Sequence, residues 1–222
     1  MTTTYSPDQK EQLYVALYRL APNPPKLKGT AEELQAEHRA WLQDLATKRV
    51  LVGSGPSKDE NDKVVHGAVM LFRLPNMAAA EKLAKEEPIA REGQRIPTVV
   101  PWHRMWFEEA SRTKTVYRGG DKKQQLYVAV YRMNPDAPGL AMMPDELHNQ
   151  HRDWLKGLAT RGILVGSGPA RDENGKNHAG AVMIFRMPST AEAEKLAKQE
   201  PNAREKQRIP EVWPWQRMWF EE

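Results

Sequence analysis

Two histidines occupy the same local frame in this chain. His38 lies four residues after Leu34, with Trp41, Leu42 and Leu45 following on the same side, and His151 stands likewise between Leu147 and Trp154. That spacing puts each imidazole on the apolar stripe of a helix. A partly buried imidazole needs a polar partner. A carboxylate at one ring nitrogen would hold the tautomer and raise the basicity of the other, which is the arrangement of a general acid or base. The alternative is a structural histidine tying a helix to a strand. Glu87 and Glu200 are the second feature. Each precedes a proline that stops a helix, where the helix dipole disfavours a negative charge. A compensating partner would be one of the histidines or a nearby arginine, and a solvated carboxylate in a charge run such as Lys85-Glu86-Glu87 is an equal reading.

These residues come in pairs because residues 11–109 are written again as residues 124–222, without a gap and at about 60 % identity. Leu13-Tyr14-Val15-Ala16 returns as Leu126-Tyr127-Val128-Ala129, and Arg104-Met105-Trp106-Phe107 as Arg217-Met218-Trp219-Phe220. A unit of about 100 residues is domain-sized, unlike a solenoid repeat. The domains expected are 11–109 and 124–222, joined by a polar linker, 110–123.

Within each copy, Gln12–Leu20 reads as a strand, and Thr30-Ala31-Glu32-Glu33 is a capping box that opens the histidine helix. Val50–Gly53 is a short strand, Asp59–Lys63 a turn, and Gly67–Arg73 a third strand without polar alternation. Met77–Glu86 is a second helix, with Ser189-Thr190-Ala191-Glu192 as a further capping box in the second copy. A last strand, Val99–Phe107, contains Pro101, which argues for a sheet edge or a bulge. The order β-α-β-β-α-β, twice, is that of two ferredoxin-like α+β domains. Strands apolar on both faces imply that each sheet is covered by helices on one side and by the other copy on the other.

The ordered set of His38 and His151, Gly55-Pro56 and Gly168-Pro169, Glu87-Pro88 and Glu200-Pro201, and Pro101-Trp102 and Pro214-Trp215 resembles the YCII-related proteins of the dimeric α+β barrel superfamily. The resemblance covers nearly all of both copies and implies a homodimer fused into one chain, an intrachain pseudo-dimer open to further homo-oligomerisation. It also implies a site pairing the helix-one histidine with the carboxylate before the proline, which is Glu in both copies where the family carries Asp. Dehydrochlorination of chlorinated hydroxyquinols in the family, and lactone isomerisation in the wider superfamily, are the kinds of activity the resemblance implies. Tandem ferredoxin-like halves also host haem in that superfamily.

The remaining candidates carry weaker signals. Gly53-Ser54-Gly55-Pro56 lacks the Lys-Ser/Thr of a phosphate loop and reads as a backbone bend whose Ser54 and Ser167 could line a pocket edge. Trp41 and Trp154, one turn from the histidines, would wall an aromatic pocket. The apolar stretch Leu140-Ala141-Met142-Met143 would cover a ligand with Met142 and Met143, or the interface between the copies. His148 and His151 have a metal-compatible spacing, but no third ligand can be named, and no metal is expected.

With 40 % hydrophobic and 28 % charged residues the chain suits two small folded domains. The net charge of +4 is dispersed, so no nucleic-acid partner is expected. The absence of cysteine removes disulfides, thiolate nucleophiles and Cys-ligated metals. No signal segment or membrane span is read, and a cytoplasmic location is the default. The expectation is a small enzyme without cofactor, acting by proton transfer as a lyase or isomerase on a small cyclic or aromatic substrate. His38 and His151 would be the acid–base groups, with Glu87 and Glu200 orienting them. A non-catalytic small-molecule-binding protein and a haem protein are the alternatives.

Overall fold

A computed structural model describes residues 10–107, 124–137 and 145–220. The first copy runs β1 (Glu11–Leu20), α1 (Ala31–Thr47), β2 (Leu51–Lys58), β3 (Val64–Phe72), α2 (Met77–Glu86), α3 (Pro88–Arg91), β4 (Arg95–Arg104) and β5 (Trp106–Phe107). The second repeats it as β6 (Gln124–Met133), α4 (Asp145–Thr160), β7 (Leu164–Arg171), β8 (Asn177–Phe185), α5 (Thr190–Lys198), α6 (Pro201–Arg204), β9 (Arg208–Arg217) and β10 (Trp219–Phe220). The expected linker and the Leu140–Met143 stretch lie outside the described residues.

The copies form two antiparallel sheets, β10-β2-β3-β1-β4 and β5-β7-β8-β6-β9, so each takes its fifth strand from the other copy. Leu13, Val15, Leu17 and Trp102 meet Leu126, Val128, Val130 and Trp215 in one core between the sheets. The alternate residues Ala16 and Tyr18 face the helices of the first copy with Leu45 and Phe72, and Ala129 and Tyr131 face those of the second. Both faces of β1 are therefore covered, which is why its sequence shows no polar alternation. Each fully buried Val or Leu contributes about 1.5–3 kcal/mol relative to exposure, and the inner core is shared, so the copies stabilise one another.

The Gly-Ser-Gly-Pro segment departs from expectation. It is not a bend leading into a turn but the middle of β2, which runs on to Lys58, with register shifts after Leu51 and Pro56. The other copy explains the glycine. A Cβ on Gly55 would stand 1.9 Å from the Gln216 carbonyl oxygen, and one on Gly168 2.1 Å from that of His103. Along the same seams Met218 N donates to Ser54 O at 2.9 Å and Met105 N to Ser167 O at 3.0 Å.

Hairpin tips latch the copies further. Glu60 Oε2 accepts from the Tyr127 hydroxyl (3.1 Å) and from Thr190 N and Oγ1 (3.0 and 2.9 Å) at the start of α5. Glu173 Oε2 accepts from the Tyr14 hydroxyl (2.8 Å) and Met77 N (3.3 Å). Burial, together with hydrogen bonding to these carboxylates, pushes both phenols well above their ordinary range, so they stay donors.

Local signals hold where chemistry is local. Thr30 and Glu33 close the expected capping box, whereas at α5 Ser189 accepts from Glu192 N and the cap is a simple one. β4, which contains Pro101, is the outer strand of its sheet. No helix among the described residues is long and apolar enough to cross a membrane.

Candidate functional site

Each copy places its histidine and glutamate between α1 or α4 and the sheet. Glu87 is the joint between α2 and α3: its backbone (φ −54°, ψ 125°) leaves the helix, and Pro88 starts the next one. Its carboxylate caps that short helix, accepting from Ile89 N at 3.2 Å and Ala90 N at 2.8 Å. Glu200 does the same with Ala203 N at 2.9 Å. This corrects the expectation that the dipole disfavours these charges: each ends one helix but faces the amide end of another, where a carboxylate is stabilised. α3 is tied to α1 by Arg91 on Glu37, and α6 to α4 by Arg204 on Gln150, each at 2.9 Å.

His38 Nδ1 lies 2.7 Å from Glu87 Oε1, and His151 Nδ1 2.6 Å from Glu200 Oε1. In the second copy this contact is an aligned hydrogen bond; in the first the atoms approach as closely without that alignment. Both glutamate side chains are fully buried, while His38 and His151 keep 14 % and 15 % of their side-chain surface open. Burial pushes the Glu200 carboxyl up. The hydrogen bond and charge of His151, the Asn202 amide at 2.6 Å and the Arg208 charge outweigh it and hold the group below the ordinary range. An ionised carboxylate only accepts, so Nδ1 of His151 carries the proton. Nε2, which bonds to no described residue, is the nitrogen left for chemistry.

Sequence reasoning missed a tyrosine and an arginine behind each pair. The charges of Glu87 and Arg95 act on the Tyr18 phenol, as those of Glu200 and Arg208 act on Tyr131. Burial pushes both phenols up and both guanidinium groups down. Gly67 and Gly180 on the neighbouring strands make room: a Cβ there would come within 3.0 Å of Arg95 Cδ and 2.6 Å of Arg208 Nε. The retained Tyr, Gly and Arg were visible in both copies, but nothing in their spacing brings three different strands together.

Trp41 and Trp154 stand edge-on to Phe72 and Phe185, at 6.3 and 6.1 Å, and pack helix on sheet. Ser54 and Ser167 are buried at the seams with the other copy's tail strand, and no contact joins them to the histidines. Met142 and Met143 lie outside the described residues. His148 is exposed, and no cluster of three metal-ligating side chains occurs among the described residues. Were a haem bound, Nε2 of His38 or His151, each beside a buried carboxylate at Nδ1, would be the nitrogen to hold its iron.

A model of the YCII-related domain matches residues 13–103 and again 126–216. Among solved structures, a provisionally named chlorite dismutase, TA0507, superposes with a TM-score of 0.56 at 13 % identity, covering 94 % of this chain and 95 % of that one. A variant chlorite dismutase from Candidatus Nitrospira defluvii gives 0.55 at 12 % identity, covering 95 % and 92 %. At such identities the likeness is one of fold. No curated protein matches the chain by sequence. Two matches in tandem, over a fold in which each half completes the sheet of the other, make this chain a member of the YCII-related family with two of its domains fused in one polypeptide.

Proposed function

We propose that the chain is an enzyme that moves a proton on a small cyclic or aromatic metabolite. His38 and His151 are its acid–base groups, and Glu87 and Glu200 orient them. One observation carries this reading: a fully buried carboxylate holds Nδ1 of a partly open imidazole at 2.6–2.7 Å in both copies. A neutral imidazole takes the proton through Nε2 from a C–H beside a C=C or C=O group; the C–H electron pair becomes a carbon–carbon double bond and the neighbouring π pair moves to its far atom. The imidazolium then returns the proton to that far atom, completing an isomerisation. Alternatively a leaving group such as chloride on the neighbouring carbon departs with its bonding pair as the double bond forms, and the imidazolium gives its proton to solvent, completing an elimination. The carboxylate stabilises the imidazolium in either case.

The test is incubation with unsaturated γ-lactones and chlorinated hydroxyquinols in heavy water, following deuterium wash-in and chloride release. The expected rate drops about 10²–10⁴-fold in the His38→Asn, His151→Asn double variant. Turnover unaffected by that double variant retires the reading, and binding without any exchange leaves a non-catalytic binding role. The open Nε2 also favours a second reading, in which it would hold the iron of a haem. Bound there, haem would supply electron transfer, and a Soret band in the purified protein or on titration with haemin is the check.

A further inference from the structure

We infer that Arg95, backed by the Tyr18 hydroxyl, is the binding group for a carboxylate on the substrate of the first copy. The inference rests on the proton-transfer reading of the same site and names the class of substrate it takes: a small carboxylic acid, bound as its anion.

Arg95 lies on the helix-facing side of β4, half-buried, with its side chain reaching across β1 to the space above Gly67. Its Nε and Nη1 are enclosed and find no acceptor among the described residues. The Glu87 charge acts on Arg95, but Nε and Nη1 make no hydrogen bond to its carboxylate, whose Oε1 accepts from the Ile89 amide beside His38 and whose Oε2 accepts from the Ala90 amide. Other arginines of the first copy have a carboxylate partner: Arg91 pairs with Glu37, and Arg73 and Arg104 share Glu11. The Tyr18 hydroxyl is also fully buried without an acceptor. Burial and the Glu87 charge keep that phenol protonated, so it too is a donor.

A guanidinium and a phenol, held side by side with unused donors, match the two oxygens of one carboxylate. Arg is the side chain whose planar fork makes that match bidentate. Glu87 links the two groups, since its charge acts on Arg95 and its Oε1 stands 2.7 Å from His38 Nδ1. The second copy keeps Tyr131 and Arg208 but sets Asn202 in place of Ile89 beside the carboxylate, so the two copies are not expected to bind alike.

Isothermal titration of the whole chain with benzoate and with benzamide, its neutral isostere, is the test. Saturable binding of benzoate, at least ten-fold tighter than benzamide, is expected. Arg95→Gln should weaken one benzoate-binding event per chain at least ten-fold, and Tyr18→Phe should weaken it a few-fold, while benzamide binding stays as it was. Benzoate binding no better than benzamide, or benzoate affinity unchanged in both variants, overturns the inference. Should Arg95→Gln not fold, the benzoate preference of the unmodified chain and the Tyr18→Phe variant decide alone. Binding needs no proton transfer, so the two readings fail separately: benzoate binding without deuterium wash-in sinks only the catalysis, and wash-in without a benzoate preference sinks only the carboxylate site.

Discussion

The two copies agree in backbone and disagree at the carboxylate. In the second, Glu200 receives an aligned imidazole, a side-chain amide from Asn202 and one backbone amide. In the first, Ile89 replaces that asparagine, and Glu87 takes two backbone amides with the imidazole less well aligned. The inner core diverges too. Trp213, where the first copy has Val100, lies tilted against His66 with ring centres 4.0 Å apart and under Arg19 at 4.6 Å. Glu211, where the first copy has Thr98, accepts from both Arg19 and its repeat equivalent Arg132. Two like charges brought together at the join of the copies would repel, and a single carboxylate between them removes that cost. A duplicated chain can solve once a problem that a symmetric dimer must solve twice, and it is free to tune one site without the other.

The sharpest challenge to this comparison is at the seams, where the copies should behave alike. Gly55→Ala and Gly168→Ala each put a methyl group into a backbone carbonyl of the other copy, and each should cost about 3 kcal/mol in urea denaturation. A markedly unequal pair would mean that one tail strand is bound more loosely than the other.

Glu200→Gln comes next, with a loss of about 2 kcal/mol at neutral pH from weakened charged hydrogen bonds. Because the folded carboxyl titrates below its ordinary value of 4.5, its stabilisation is complete above that pH and drains away as pH falls through the lower, folded value. The gap between parent and variant, followed by thermal melts, should therefore close on the acid side. A gap constant with pH would show that Glu200 is not held ionised.

The latches should rank by their donors. Glu60→Ala removes the acceptor of three hydrogen bonds and should cost about 1.5 kcal/mol, against about 1 kcal/mol for Glu173→Ala, which loses two. Reversal of that order in chemical melts would contradict the latch geometry. The smallest effect belongs to Asn202→Ile, which gives the second site the residue of the first. It loses one hydrogen bond but also an amide oxygen buried without a partner, so about 0.5 kcal/mol is expected. A loss several-fold larger would make Asn202 essential to the fold of the second site rather than a tuning residue.

What the sequence determined by itself is what short-range chemistry and repetition carry. The offset between copies, the capping box at Thr30, the bounds of α2 and the β-α-β-β-α-β order follow from side chains a few residues apart, and the family motif pointed to the pairing of His38 with Glu87. The tertiary structure decided the rest, because those features depend on strands far apart in the chain. The sequence alone puts Glu87 at an unfavourable helix end, because the short helix beyond Pro88 is invisible to a periodicity argument. It suggests a bend at Gly55, because the backbone that forbids a Cβ there belongs to residue 216. Arg95, Tyr18 and Gly67 sit on three strands, and only sheet pairing brings them to one carboxylate. A cross-strand neighbour is set by register, and register is fixed by the packing of whole sheets rather than by any local run of residues.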